Sequence, residues 1–246
     1  MAQSIQPAAA ESGQALHTPI QRRSFFKYAG ATAGATALVL AGCSKDEAEP
    51  ATAPINVGSG DIGVLNYAYA LEQFEAAFYA AVRGGSYYTS LAANNAERLA
   101  LDDLYYHEVI HRDFLKAAIT AAAPDKLIPV LETDFTSSTG YIDFNNRPLV
   151  LGAARTFEDL GVAAYNGAAK YLTDPKYLVL AGKIVSVEAR HAALIRDLFS
   201  EGTFIGADVV KINTTALEIS REPADVAGMV NQFLKDSSKL DVSGLK

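Results

Sequence analysis

One repeated pattern limits what this chain can become. Glu72 is followed seven residues later by Tyr79, and Glu108 three residues later by His111; Glu158 is then followed at seven by Tyr165, and Glu188 at three by His191. Each glutamate also sits in its own apolar stripe at helical spacing. Glu72 has Leu65 and Ala68 before it and Val82 after it; Glu108 has Leu101, Leu104, Leu115 and Ile119. Glu158 has Leu151, Ala154 and Ala169, and Glu188 has Ala181, Ile184, Ile195 and Leu198. Residues three, four and seven apart share one face of a helix. The pattern therefore predicts four helices, each turning one carboxylate into a common core. Half of the 246 residues are hydrophobic, enough to build that core.

Local signals bound the helices. Asp61 is positioned to cap the first, which runs to about Val82 and is stopped by Gly84-Gly85. The second runs from about Asn95 to Ala122 and the third from about Pro148 to Leu172. Asp174-Pro175 is a cap followed by proline at the first helical position, and it opens a fourth helix reaching about Phe199. The third and fourth are joined by so few residues that they must be antiparallel neighbours. Residues 123–147 are too long for an ordinary connection and predict a crossover along the bundle. Phe135, Tyr141, Ile142 and Phe144 are expected to pack it on the surface. Pro223 to Leu234 reads as a short C-terminal helix, and residues 236–246 as a frayed tail.

Burying an unpaired carboxylate costs several kcal/mol, and four together repel. No lysine or arginine occupies the inner stripes, and Arg112 and Arg190 fall toward the helix flanks. Two divalent cations would bring four positive charges to four carboxylates. A Glu-x-x-His pair presents an oxygen and a nitrogen to one ion, so two pairs serve two ions. The candidate ligands are Glu72, Glu108, His111, Glu158, Glu188 and His191. Mixed carboxylate and imidazole donors suit iron first, manganese second, with zinc an alternative. Glu75, also near the inner face of the first helix, is a substitute for Glu72 or a supporting group; Glu72 is preferred because its step to tyrosine matches the other half. Tyr79 and Tyr165 are either core tyrosines or hydrogen-bond donors to ligand carboxylates.

His107-Glu108-Val109-Ile110-His111 is also a literal H-E-x-x-H, the zinc metalloprotease signature, with Glu132 as an imaginable third ligand. Helix geometry alone does not decide, because residues 107, 108 and 111 fall within an arc of about 100°. The repeat argues against it: Val187-Glu188-Ala189-Arg190-His191 has no counterpart to His107. His107 is then expected to flank the ligands.

The six-residue set, with Leu65-Asn66-Tyr67-Ala68, Glu75-Ala76-Ala77-Phe78-Tyr79 and Phe157 through Tyr165, resembles the bacterial ferritin-like domain proteins related to the desiccation-associated group. The resemblance spans about residues 61–235. It implies an all-α, ferritin-like four-helix bundle with a long crossover between helices two and three, plus a short C-terminal helix. It also implies a di-iron or related centre, without fixing a substrate.

The first 43 residues read differently. Gln21-Arg22-Arg23-Ser24-Phe25-Phe26-Lys27 precedes a weakly apolar run ending at Leu40-Ala41-Gly42-Cys43. That order resembles a twin-arginine export signal joined to a lipoprotein cleavage box. Cys43 is the only cysteine, so it has no intramolecular disulfide partner. Residues 1–43 are expected to be a signal with Cys43 lipidated, 44–60 a tether, and 61–235 the bundle. The expected setting is the periplasm or cell envelope of a bacterium, with the membrane as partner through the anchor. A net charge of −7 argues against nucleic acid; a homodimer is compatible with all of this. The functions in contention are a di-metal protein oxidising ferrous iron or consuming oxygen or peroxide in stress protection, and a non-catalytic surface module stabilised by metal.

Overall fold

The computed structural model describes residues 53–246; the export signal and Cys43 lie outside the described residues. The architecture is all-α. A two-residue strand, β1 (Ile55–Asn56), leads into α1 (Gly60–Gly84), a short α2 (Ser86–Ser90) and α3 (Ala96–Ala122). The crossover follows, then α4 (Arg147–Ala168), α5 (Pro175–Phe199), α6 (Pro223–Val230) and a last strand, β2 (Leu240–Asp241).

The four long helices form two hairpins, α1 with α3 and α4 with α5, laid face to face. Three caps follow their side chains. Asn95 accepts from the amides of Glu97 and Arg98, Asn146 from Leu149, and Asp174 from Lys176, each satisfying amides that have no partner inside the helix. The start of α1 differs from expectation. Ser59 holds the cap position, and Asp61 instead accepts from the amides of Thr173 and Asp174 at 2.6 and 3.0 Å. Those amides hold the Asp61 carboxyl below its ordinary value. One carboxylate thus ties α1 to the α4–α5 connection.

The crossover is pinned by two buried amides of α1. Asn66 accepts from the amide of Ile128 and donates to the carbonyls of Val57 and Lys126. Gln73 accepts from the amide of Leu131 and donates to the carbonyl of Pro129. Beyond them, Phe135 stacks with Phe74, Phe78 and Phe144. Phe135 and Ile142 are buried, but Tyr141 is exposed and contributes nothing to that packing.

Both ends of the described chain differ from the expected tether and frayed tail. β1 and β2 pair in parallel, Ile55 with Leu240 and Asn56 with Asp241. Val57, Leu240, Val242 and Leu245 are buried. Leu240 and Val242 alternate with polar residues at a period of two, so this segment is a strand that a helical reading overlooks.

Candidate metal centre

The acidic groups buried in the bundle gather at one level. Glu72, Glu108, Glu158 and Glu188 are all fully buried, one from each long helix, and His191 is nearly so. Their atoms gather into two overlapping groups. Glu72, Glu108, His111 and Glu188 form one, and Glu108, Glu158, Glu188 and His191 the other; within each, the ligand atoms lie within 4.8 Å of one another. Glu108 and Glu188 belong to both.

The two groups mirror each other. His111 Nδ1 lies 2.8 Å from Glu188, 3.4 Å from Glu72 and 3.7 Å from Glu108. His191 Nδ1 lies 2.8 Å from Glu108, 3.2 Å from Glu188 and 3.6 Å from Glu158. The tyrosines cross over: Tyr79 of α1 donates to Glu158 of α4, and Tyr165 of α4 donates to Glu72 of α1. The sequence repeat is therefore a pseudo-two-fold axis between the bridging positions of Glu108 and Glu188.

Two side chains break that symmetry. Glu75 is buried outside both groups. It lies against Gly161, where a Cβ would stand 2.9 Å from Glu75 Oε1. Position 75 is three past Glu72, and position 161 is three past Glu158. The duplicated positions meet, and glycine on one side makes room for the carboxyl on the other. His107 is the second exception. It is exposed on α3, yet its Nδ1 is 2.9 Å from Nε2 of buried His191, with the rings stacked at 5.1 Å. With His191 Nδ1 turned to the glutamates, Nε2–H is left to donate to His107.

Burial and crowding set the charges. Burial and the nearby Glu188 push Glu72 well above the usual carboxylate range, and burial lifts Glu158 to about 7. Burial also opposes ionisation of Glu108, but the two imidazoles beside it win and bring it down to about 2. For His111, burial disfavours the cation, while Glu108, Glu188 and Glu72 outweigh it and raise the ring to about 12. His191 is likewise raised by Glu158, Glu108 and Glu188 against its burial. Glu75 has no such relief. Burial and the four surrounding carboxylates push it well above its ordinary value.

Contacts this short would normally be hydrogen bonds, and many here are not. Glu72 Oε2, both oxygens of Glu108, His111 Nδ1, Glu158 Oε2 and Glu188 Oε1 are buried without a hydrogen-bond partner. Buried polar atoms are almost always paired, so six orphans at one place need an explanation. Lone pairs converging on cations supply it. Four carboxylates and two imidazoles match the donor chemistry of iron or manganese, so the residues fit bound metal.

The protease arrangement does not assemble. Neither group includes His107. Glu132 lies at the surface, paired with Lys235 at 2.7 Å, and so is no third ligand. Arg112 pairs with Asp113, and Arg190 donates to the carbonyl of Ser186, both on the flanks. Sequence reasoning missed the crossed tyrosine bonds and the His107–His191 contact. The paired step of seven from glutamate to tyrosine was the signal available for the first.

A family model described as a ferritin-like domain matches residues 60–201, more than half of the chain. A search of curated proteins finds no match.

Proposed function

The chain belongs to the ferritin-like domain family, and from that premise we propose that it binds two divalent metal ions, iron in preference to manganese, and uses them to oxidise ferrous iron or consume oxygen or peroxide. The observation that carries this reading is the sharing of Glu108 and Glu188 between two four-residue groups. Glu72 and His111 would complete one ion's set, and Glu158 and His191 the other's. Bound there, a metal pair in its reduced state would supply electrons to an oxidant.

The chain's own groups do the rest. Tyr165 and Tyr79 orient the terminal carboxylates by donating to one oxygen of each. His107 fixes the tautomer of His191 and leaves Nδ1 free to bind. The aromatic packing around Phe74, Phe78 and Phe157 excludes water from one end of the site. The export signal and the Cys43 box support a lipid-anchored envelope protein acting in stress protection; failure of Cys43→Ala to abolish lipid labelling would refute the anchor.

Metal content of protein purified without chelator tests the centre. Stoichiometry near two that collapses in Glu108→Ala plus Glu188→Ala supports it, and a single zinc lost in His107→Ala sinks it. Oxygen uptake by ferrous-loaded protein tests the chemistry. Metal that raises thermal stability while no oxidant is consumed would make the site purely structural.

A further inference from the structure

A second feature lies directly above the centre, at the N-terminal end of α1. All four long helices open there into a cleft lined by residues including Ala68, Leu115, Tyr165, Ala181 and Ile184. Three of these sit one helical turn from a candidate ligand. Ala68 is four residues before Glu72, Leu115 four after His111, and Ile184 four before Glu188. A turn of four residues is about 6 Å along the axis. Tyr165 lines the cleft and donates to Glu72, so it stands between the cleft and the centre. Phe114, exposed on α3, is at the rim.

Size and chemistry narrow the occupant. The free volume is about 20 Å³, and a single water needs roughly 10–15 Å³. One small molecule fits, and an acyl chain does not. Almost none of the surface is oxygen or nitrogen. Water needs two to four polar partners to stay in such a void, and almost no polar surface faces this one. Hydrogen peroxide and hydrated cations carry hydrogen-bonding groups whose burial here would be uncompensated. An apolar diatomic gas loses nothing on entry.

We propose that this cleft binds dioxygen and delivers it to the Glu72–His111 side of the centre. The delivery half of the inference rests on the oxidase reading above; the binding half does not.

Dioxygen itself is the probe. In the metal-free full chain under oxygen pressure, methyl groups of Ala68, Leu115 and Ile184 will show paramagnetic relaxation well above that of Val162 and Ala192, which are comparably buried outside the cleft. Ala181→Phe and, from the opposite wall, Ala118→Phe fill the space from partly exposed positions and will abolish the difference. In ferrous-loaded protein, either variant will slow oxygen-driven oxidation at least tenfold while metal stoichiometry and the peroxide-driven rate stay within twofold. Equal relaxation at both sets of methyls overturns the cleft, even if oxygen is consumed. Parallel loss of the oxygen and peroxide rates overturns the delivery role. Selective relaxation in a loaded protein that consumes neither oxidant leaves the gas site standing and overturns the oxidase reading instead.

Discussion

Replacing Glu75 by glutamine should stabilise the metal-free protein at neutral pH. The substitution keeps the shape and removes the ionisable group. Glu75 is buried among Glu72, Glu108, Glu158 and Glu188, which together with burial raise it far above its ordinary 4.5. The folded protein therefore holds a proton there that the unfolded chain releases. Stability from the neutral acid is fully present below pH 4.5 and is lost as pH rises above it. Each pH unit over which the folded carboxyl stays neutral after the unfolded one has ionised costs about 1.36 kcal/mol. For a domain of this size that is about 3–5 °C in Tm per pH unit. Thermal melts of chelated wild type and Glu75→Gln between pH 4.5 and 7.5 should coincide at the acid end and separate progressively toward neutrality. Manganese should narrow the gap, because four positive charges offset the ligand carboxylates that repel Glu75. A glutamine variant less stable than wild type at pH 7 under chelation would refute the argument. So would a gap indifferent to pH, since Glu75 would then titrate alike in the folded and the unfolded chain.

Three further outcomes follow from the same geometry. Tyr165→Phe should weaken the ion beside Glu72, and Tyr79→Phe the ion beside Glu158, each about 10–100-fold; calorimetric titration showing both variants affecting the same ion contradicts the crossed bonding. His107→Ala should lower affinity at the Glu158–His191 position by a similar factor and spare the other, and manganese titrations followed by electron paramagnetic resonance would show one site emptied before the other. Arg196 is buried and pairs with half-buried Asp159 and exposed Asp208 at 2.7 and 2.6 Å, so Arg196→Met should cost about 1.5–3 kcal/mol in urea unfolding, and a loss under 1 kcal/mol would mean that Asp159 finds water instead.

The long helices were legible because each combines an apolar stripe with a stop signal, Gly84-Gly85, Pro124 or Asp174-Pro175. The gathering of four carboxylates was legible because the pattern occurs twice. Which helix faces which was not. Tyr79 and Glu158 are 79 residues apart, and only the packing of the two hairpins brings them together. The relation of Glu75 to Gly161 was present in the sequence as a mismatch between the repeats, but a glycine gives no sign of what it leaves space for. The crossover's anchoring was hidden for another reason: Asn66 and Gln73 sit inside an α1 stripe where polar residues ordinarily face solvent. β1 and β2 are two residues each, and the alternation around Leu240 and Val242 is too brief to set apart from a polar tail.

The pairing of β1 with β2 matters for a chain that would be held at one end. Pull transmitted from residues before 53 meets two parallel backbone hydrogen bonds first, Ile55 to Lys239 at 2.7 Å and Val57 to Asp241 at 3.0 Å. Loaded along the strand direction, these bonds must shear together rather than open singly. In a chain anchored there, the C-terminal segment would brace the point of attachment. Force would be taken up in Val57, Leu240 and Val242 before it reached the start of α1, twelve residues ahead of Glu72. A tethered protein could be tugged repeatedly while the spacing of its glutamates stayed as it is at rest.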